Sequence, residues 1–288
     1  MHTQTTLALA GDYPDPSVSN RIGRYALKKQ LGTGASSTVS LATDTLTNKD
    51  VALKVIDDSA FSDPQYGQAA RNQFLKEVSL VGKLIHPHIV AMTDALVSDD
   101  VNYIALEYVP GGNLLPFTHP QNLLPVADVI EIGCKCCDAL RYAYRAGIIH
   151  CDIKPANLLL ARGTDIKVAD FGAALLNQSD LSQICEIGSP AYMSPEHITG
   201  CVLSPKSDMF SLAVVLYQLL TGHKPFSADT TLGLINQIRV KTPAPMQSLR
   251  QELPPELDRV LARALAKRPD ERYSTWTEFA LELARLHA

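Results

Sequence analysis

The hydrophobic pattern of this 288-residue chain changes type once, near residue 110. Before that point, short runs of apolar residues predict β-strands at 25–31, 38–43, 51–56, 95–97 and 102–108, with one helix at 68–84. After the Pro110-Gly111-Gly112 breaker, the pattern predicts helices at 126–145, 206–220, 231–240, 255–266 and 275–286. The sequence therefore predicts an α+β fold, with a small β-rich lobe that carries one main helix and a larger, mainly helical lobe.

The expected domain boundaries follow from the same change in pattern. Residues 1–20 are polar, contain Pro14 and Pro16, and are expected to form a flexible leader. We expect one domain over 21–288, divided into a first lobe at 21–106, a hinge at 107–112 and a second lobe at 113–288.

Composition argues against several classes of function. The formal net charge is −4 and no run of lysine or arginine occurs, so a nucleic-acid partner is not expected. The longest strongly apolar stretch, at 212–220, is too short to cross a bilayer, and the N-terminus lacks the features of a signal peptide. The six cysteines lack a clear metal-ligand pattern, which favours small buried side chains in a reducing compartment. We therefore expect a cytoplasmic protein, and its oligomeric state stays open.

A glycine-containing segment separates the first two predicted strands. It reads Leu31, Gly32, Thr33, Gly34, Ala35, Ser36, Ser37, Thr38 and Val39. Glycine has no Cβ, so a backbone turn at these positions can approach phosphate oxygens closely. A strand follows the segment, whereas a dinucleotide-binding fingerprint requires a helix there. Because an ordinary hairpin turn would use the two glycines equally well, this signal is weak alone.

A lysine inside an apolar strand gives a second signal. Lys54 ends the run Val51-Ala52-Leu53-Lys54, where a buried charge is costly unless it is paired. Glu77, on the predicted helix at 68–84, is the natural partner. The alternative is an edge-strand lysine that points to solvent.

Acidic and amide side chains gather in two further segments. The first reads His150-Cys151-Asp152-Ile153-Lys154-Pro155-Ala156-Asn157, and the second reads Asp170-Phe171-Gly172. Mg²⁺ prefers a few protein oxygen ligands together with phosphates and water, and aspartate and asparagine supply such ligands. Phosphoryl transfer depends on positioning and charge neutralisation more than on covalent chemistry. The two segments therefore indicate a phosphoryl-transfer site.

Taken in chain order, these motifs resemble those of the protein kinase superfamily, over about 22–286. The resemblance implies a two-lobed protein kinase fold that uses ATP and Mg²⁺, with Mn²⁺ as an alternative, and acts on Ser and Thr of protein substrates. It also implies two structural contacts in the second lobe. Asp208 would tie the 150–157 segment to the long helix, and Glu196 would pair with Arg272.

The resemblance assigns the transfer chemistry to a few side chains. Lys54, paired with Glu77, would hold the α- and β-phosphates of ATP. Asp152 would orient the substrate hydroxyl and accept its proton. The remaining roles would fall to Lys154 at the γ-phosphate and to Asn157 and Asp170 as metal ligands.

The nucleotide would lie between the two lobes. The resemblance implies that residues 31–39 cover the phosphates and that the hinge backbone contacts adenine. The adenine contacts would come from Leu31, Val39, Ala52 and Leu159 around the base, Leu106 at the gatekeeper position, and Glu107 and Val109 in the hinge. His150 and Phe171 would be packing elements.

The residues after the catalytic aspartate resemble the Ser/Thr class of kinases. Tyrosine kinases usually carry arginine or alanine where Lys154 stands, and the 188–196 segment is similar to the peptide-positioning loop of Ser/Thr kinases. The segments at 22–25 and 219–222 are similar to bacterial members. The sequence therefore predicts an ATP-dependent, non-specific Ser/Thr protein kinase that phosphorylates other proteins and itself.

Cys151 departs from the family pattern, in which an arginine precedes the catalytic aspartate. That arginine pairs with a phosphate on the activation loop and orders the loop. Cysteine cannot make this contact. Our hypothesis is that activity does not depend on activation-loop phosphorylation through this residue, although Ser179 and Ser182 lie in the loop. The alternative is that Arg141 or Lys167 takes over the pairing.

The other departures carry smaller consequences. Ser37 replaces a third glycine and Ser194 replaces the usual alanine, and neither is expected to prevent nucleotide binding. Cys151 and Cys185 also allow a redox-switch interpretation, which is disfavoured because the carboxylate beside Cys151 opposes thiolate formation.

Two other functions compete with the kinase hypothesis. A pseudokinase scaffold commonly lacks one of the catalytic residues, whereas Lys54, Asp152, Asn157 and Asp170 are all present. A small-molecule kinase of the aminoglycoside or choline type typically lacks the lysine after the aspartate and the peptide-positioning loop. Both are present here.

Overall fold

The computed structural model describes residues 21–34, 37–57, 67–98, 101–171, 175–176 and 190–286. The predicted leader at 1–20 lies outside the described residues, as do Ala35, Ser36, Gly172, Ser179, Ser182 and Cys185. The described part contains a β-rich first lobe and a mainly helical second lobe, which confirms the predicted fold class.

The strands of the first lobe form one antiparallel sheet. In chain order its elements are β1 (Arg21–Ile22), β2 (Tyr25–Thr33), β3 (Ser37–Asp44), β4 (Lys49–Ile56), helix α1 (Gly67–Val81), β5 (Met92–Leu96) and β6 (Asn102–Glu107). The strand order is β1-β2-β3-β4-β6-β5. The strand predicted at 95–97 begins earlier, at Met92. The prediction missed its first residues because the polar Thr93 and Asp94 interrupt the apolar alternation. The Thr93 hydroxyl donates to the Ala105 carbonyl, and the Asp94 carboxylate accepts from the Tyr25 hydroxyl.

The two faces of this sheet pack against different partners. On one face, Leu53 and Tyr103 belong to a small apolar cluster. On the other face, Ile56 packs with Phe74 of α1. Because side chains alternate along a strand, Lys54 lies on the same face as Ile56, toward α1. The sheet therefore determines the direction in which the buried lysine points.

The second lobe is built mainly from helices. In chain order its elements are α2 (Val126–Arg145), β7 (Ile148–Ile149), β8 (Leu158–Leu160), β9 (Ile166–Val168), β10 (Leu175–Leu176), α3 (Pro195–Ile198), α4 (Pro205–Thr221), α5 (Thr231–Val240), α6 (Pro255–Ala264) and α7 (Trp276–Ala284). The short strands pair as β7 with β10 and β8 with β9. No described helix combines the length and apolar character that a bilayer-spanning helix requires.

Helix α4 lies at the centre of the second lobe. Nearly all its side chains from Ser207 to Thr221 are buried, so the helix is apolar around most of its circumference. Ser204 begins the helix with a capping box, and Gly222 ends it with a φ of 76°, a left-handed conformation that suits glycine. Asp208, in the first turn, is a charged side chain among these mostly apolar ones, and it is buried like them, at 3% exposed.

A buried ion pair connects α3 to the chain before α7. The Arg272 guanidinium donates to both carboxylate oxygens of Glu196, at 2.7 and 2.8 Å. Arg272 also donates to the backbone carbonyls of Lys206, Ala266 and Lys267, and its side chain is fully buried. This bidentate geometry satisfies the donors that burial would otherwise leave without partners.

The chain between α1 and β5 joins the first lobe to the second. The Val90 amide donates to the Val168 carbonyl, and the Val168 amide donates to the His88 carbonyl, both at 2.9 Å. Near residue 111 the chain passes close to β8, where a Cβ on Gly111 would lie 2.1 Å from the Leu160 carbonyl oxygen. Only glycine fits at that approach, so the crossing between the lobes has a fixed path.

We expect Arg272→Met to destabilise the fold by about 3–5 kcal/mol, because it leaves the Glu196 carboxylate buried without its partner. Urea unfolding followed by circular dichroism measures the change. Arg268→Met is the matched control, since Arg268 pairs with Asp270 at 2.7 Å on the surface, with both side chains at least 65% exposed. The control should change stability by about 1 kcal/mol or less. Equal losses in the two variants would contradict the importance of the buried pair.

Candidate active site

A charged cluster links the two lobes. Lys54 Nζ lies 2.8 and 3.0 Å from the two carboxylate oxygens of Glu77 and 3.2 Å from Asp170 Oδ1. Glu77 comes from α1, and Asp170 follows β9 in the second lobe. The Lys54 and Glu77 side chains are 15% and 8% exposed, whereas Asp170 is 46% exposed. The cluster therefore has a buried side at Glu77 and an open side at Asp170.

The electrostatics of this cluster keep Lys54 charged. Burial works to lower the pKa of Lys54, but the carboxylates of Asp170 and Glu77 outweigh it and leave the pKa raised. Partial desolvation works to raise the pKa of Asp170, yet the charge and hydrogen bond of Lys54 leave that pKa lowered. Burial dominates at Glu77 and raises its pKa. A cation beside an ionised, accessible carboxylate is thus present at neutral pH.

A carboxylate of α4 holds the backbone of the 150–157 segment. Asp208 accepts hydrogen bonds from the backbone amides of His150 and Cys151, both at 2.8 Å. Cys151 has a φ of 67°, an uncommon value for a residue with a side chain. The two bonds from Asp208 hold the strained turn in place. Burial raises the pKa of Asp208, although the two amides partly oppose that rise.

Asp152 is held by its neighbours in the same segment. Lys154 Nζ donates to Asp152 Oδ2 at 2.7 Å, and Asn157 Nδ2 donates to the same oxygen and to the Asp152 backbone carbonyl, each at 2.9 Å. The Asp152 and Lys154 side chains are 13% and 25% exposed, so the group is partly shielded from solvent. The segment therefore presents a pre-positioned carboxylate beside an ammonium group.

His150 and Phe171 pack against each other and support the 150–157 segment. Their ring centroids lie 4.5 Å apart. The Asp152 amide donates to His150 Nδ1, which leaves Nε2–H to donate to the Ala169 carbonyl at 3.0 Å. Both residues are almost fully buried. These contacts tie the Asp152 backbone to the backbone that precedes Asp170.

The residues predicted to surround adenine come from both lobes. Val39 pairs with Lys54 across β3 and β4, and Ala52 pairs with Leu106 across β4 and β6. Paired residues share a sheet face, so these side chains lie on the Lys54 face. Leu159 lies on β8 in the second lobe.

The remaining predicted nucleotide contacts lie at the ends of strands. Leu31 is 41% exposed near the end of β2, and Val109 is buried just after β6. Within the predicted phosphate-covering segment at 31–39, the Gly34 amide donates to the Ser37 carbonyl at 2.7 Å and Thr33 pairs with Thr38. Ala35 and Ser36 of this segment lie outside the described residues.

An ion pair at the end of β6, where the sequence predicts the hinge, was not itself predicted from the sequence. Lys167, on β9, lies 3.0 Å from Glu107 Oε2 and donates to the Pro87 carbonyl at 2.8 Å. The Glu107 amide in turn donates to the Ala91 carbonyl. Lys167 pairs with Leu159 in the β8–β9 hairpin, so one lysine connects this hairpin to the end of β6. The sequence did contain one signal for this position. In Ile166-Lys167-Val168 a polar residue alternates with apolar ones, which turns Lys167 away from the buried face.

The donor set fits a magnesium ion. Asn157 uses its Nδ2 on Asp152, which leaves Oδ1 as an acceptor, and Asp170 offers an accessible, ionised carboxylate. Mg²⁺ keeps several waters and uses one or two carboxylates together with phosphates, so these two residues match its preference. In the described residues, no group of three or more His, Cys, Asp or Glu could hold a metal ion. Phosphate oxygens and water would supply the other ligands that Mg²⁺ prefers.

The two lobes, the charged cluster between them and the loop that holds Asp152 define a protein kinase domain. The chain belongs to that family, which matches residues 25–282. This confirms the resemblance and the predicted two-lobed fold.

The most similar curated relatives include bacterial Ser/Thr protein kinases. The chain is 36% identical over 272 residues to the Ser/Thr-protein kinase PknB of Mycolicibacterium smegmatis, which covers 92% of this chain and 43% of that protein. It is 34% identical over 275 residues to a probable PknB of Corynebacterium glutamicum, with 91% and 42% covered. It is also 31% identical over 265 residues to a probable Ser/Thr-protein kinase of Clostridium acetobutylicum, with 91% and 40% covered. The chain thus spans less than half the length of these relatives.

We expect Lys54 and Glu77 to be strongly coupled in stability. In a double-mutant cycle of Lys54→Met and Glu77→Gln, the free energies of unfolding should deviate from additivity by about 0.5–3 kcal/mol. The reason is that the attraction between the two charges offsets the cost of burying each of them. The exposed pair of Lys28 and Asp50, 2.6 Å apart and 46% and 41% exposed, is the matched control. Its coupling should stay below about 1 kcal/mol. Additive effects at Lys54 and Glu77 would show that the contact contributes nothing.

Proposed function

We propose that this chain is a Ser/Thr protein kinase that transfers the γ-phosphoryl group of ATP to Ser and Thr hydroxyls of proteins, and to itself. The observation that carries the proposal is the contact of Lys54 with both Glu77 and Asp170, at 2.8 and 3.2 Å. It joins a buried cation of one lobe to an accessible carboxylate of the other. Phosphoryl transfer needs this kind of arrangement, in which charges converge on a cleft that can take a triphosphate.

ATP would bind in the cleft, with residues 107–112 as the hinge. Leu31, Val39, Ala52, Leu106 and Leu159 would contact adenine, and the backbone of Glu107 and Val109 would bond to its edge. Residues 31–39 would cover the phosphates, with Lys54 on the α- and β-phosphates. When bound, Mg²⁺ or Mn²⁺ supplies charge neutralisation at the phosphates, and Asn157 and Asp170 would hold it. The enzyme would act in the cytoplasm, where ATP and protein substrates occur together.

Asp152 would position the substrate hydroxyl and take its proton. Its Oδ2 already accepts from Lys154 and Asn157, which leaves Oδ1 for the incoming hydroxyl. Lys154 is close enough to Asp152 to lie beside the γ-phosphate as it moves toward that hydroxyl. The acid–base group and the cation would thus act on the same transferred phosphoryl group.

We expect Asp152→Asn to lower turnover about 10²–10⁴-fold, since it removes the positioned proton acceptor. The affinity for Mg·ATP should change little because Asp152 faces the acceptor hydroxyl. Transfer from radiolabelled ATP to a generic protein measures turnover, and equilibrium binding measures affinity. Asp165→Asn, at a half-exposed carboxylate between β8 and β9, is the matched control and should keep full activity. Full activity in Asp152→Asn would disprove the assignment of the proton acceptor.

We also propose that activity does not depend on activation-loop phosphorylation through residue 151. The sulfur of Cys151 cannot form the bidentate contact by which an arginine binds phosphate. The two alternative cations have other partners, since Lys167 binds Glu107 and Pro87 while Arg141 binds Asp138.

The double variant Ser179→Ala, Ser182→Ala should keep at least about half of the wild-type activity, because residue 151 is not an arginine that could bind a phosphate on either serine. Initial rates with a generic protein substrate measure this. Ser227→Ala, at an exposed serine of the second lobe, controls for the loss of any serine phosphate. A near-total loss in the double variant, with Ser227→Ala unaffected, would refute the hypothesis.

A further inference from the structure

The loop before α3 rests on the second lobe through a tyrosine. The turn Pro190–Tyr192 packs against α4 and α5. The Tyr192 hydroxyl donates to Gln218 Oε1 of α4 at 2.8 Å, and Tyr192 is 8% exposed. The anchor is therefore a neutral amide, so this contact leaves no charge at the surface of the loop. In the proposed function this loop receives the substrate peptide.

A lysine from the segment between α4 and α5 reaches the same tyrosine. Lys224 Nζ lies 5.3 Å from the centroid of the Tyr192 ring, within the range of a cation–π contact. The side chain of Lys224 is exposed, and no carboxylate of the described residues lies within ion-pair distance of it. Its charge therefore faces solvent beside the loop.

Among the described residues, the carboxylate at the end of this loop is neutralised by an ion pair. Glu196, which belongs to the loop's end, is 7% exposed and bound on both oxygens by Arg272. Helix α5, on which the loop packs, contains no acidic residue. In the segment from Gln218 to Lys241, Asp229 is the only carboxylate, against Lys224, Arg239 and Lys241. The segment at 218–241, part of which packs against the loop, therefore has a net positive charge.

We propose that Lys224 makes this kinase acid-directed: it selects Ser and Thr acceptors that have Asp, Glu or a phosphorylated residue close by in sequence. The inference rests on the proposed function and names the substrate class of that same site. A carboxylate placed beside Lys224 gains Coulomb attraction, whereas an arginine or lysine there is repelled. A single exposed charge pair changes affinity by about two- to five-fold, and the effect weakens as salt rises.

The experiment compares three peptide sets with one Ser or Thr acceptor each and acidic, neutral or basic flanking residues. The wild-type kcat/KM should be highest for acidic flanks and lowest for basic flanks. Lys224→Glu should lower the acidic-to-basic ratio by about five-fold or more, mostly through KM, because attraction becomes repulsion. Lys49→Glu, an equal charge change at the start of β4 in the other lobe, should leave that ratio unchanged.

The outcomes separate this inference from the proposed function. If all three peptide sets are phosphorylated and Lys224→Glu leaves the ratio unchanged, the inference is wrong and the kinase activity stands. A wild-type preference for basic flanks would also overturn it. If none of the peptides is phosphorylated and Mg·ATP does not bind, the proposed function itself is wrong. A loss of preference at 0.5 M salt, together with the Lys224→Glu result, would support the electrostatic origin.

Discussion

The contact between Lys54, Glu77 and Asp170 is the constraint on which the rest of the site depends. Lys54 is held in an apolar sheet, so its charge requires carboxylates on the α1 face of that sheet. Glu77 satisfies that requirement from within the lobe, and Asp170 satisfies it from across the cleft. The same ammonium group therefore connects β4 to α1 and to Asp170 of the second lobe.

Helix α4 provides the matching constraint in the second lobe. Its buried Asp208 holds the backbone at 150 and 151, while its Gln218 anchors Tyr192 of the loop before α3. One rigid helix thus sets both the position of Asp152 and the position of the loop proposed to receive the peptide. Asp208 and Arg272 are both buried charged groups, and each fixes the backbone around it. Each also has its hydrogen bonds satisfied.

Much of the fold and of the candidate site could be predicted from the sequence. Local patterns indicate the helices and strands, and the spacing of the motifs indicates the candidate site. The helix at 126–145 was placed correctly since its apolar residues recur at helical spacing. The strand at Met92–Leu96 was misplaced because polar residues there are satisfied by distant partners. The pairing of Lys167 with Glu107 was missed because it depends on how two loops and a hairpin meet in space. The left-handed conformation of Cys151 likewise follows from the tertiary contact with Asp208.

The most direct test is to incubate the protein with Mg·ATP labelled in its γ-phosphate, together with a protein mixture, and to map the label by mass spectrometry. Our interpretation predicts labelled phosphate on Ser and Thr residues of the added proteins and of the chain itself, with ADP released in equal amount. If ATP stays bound and intact, or only water accepts the phosphoryl group, the charges between the lobes do not carry out protein phosphorylation.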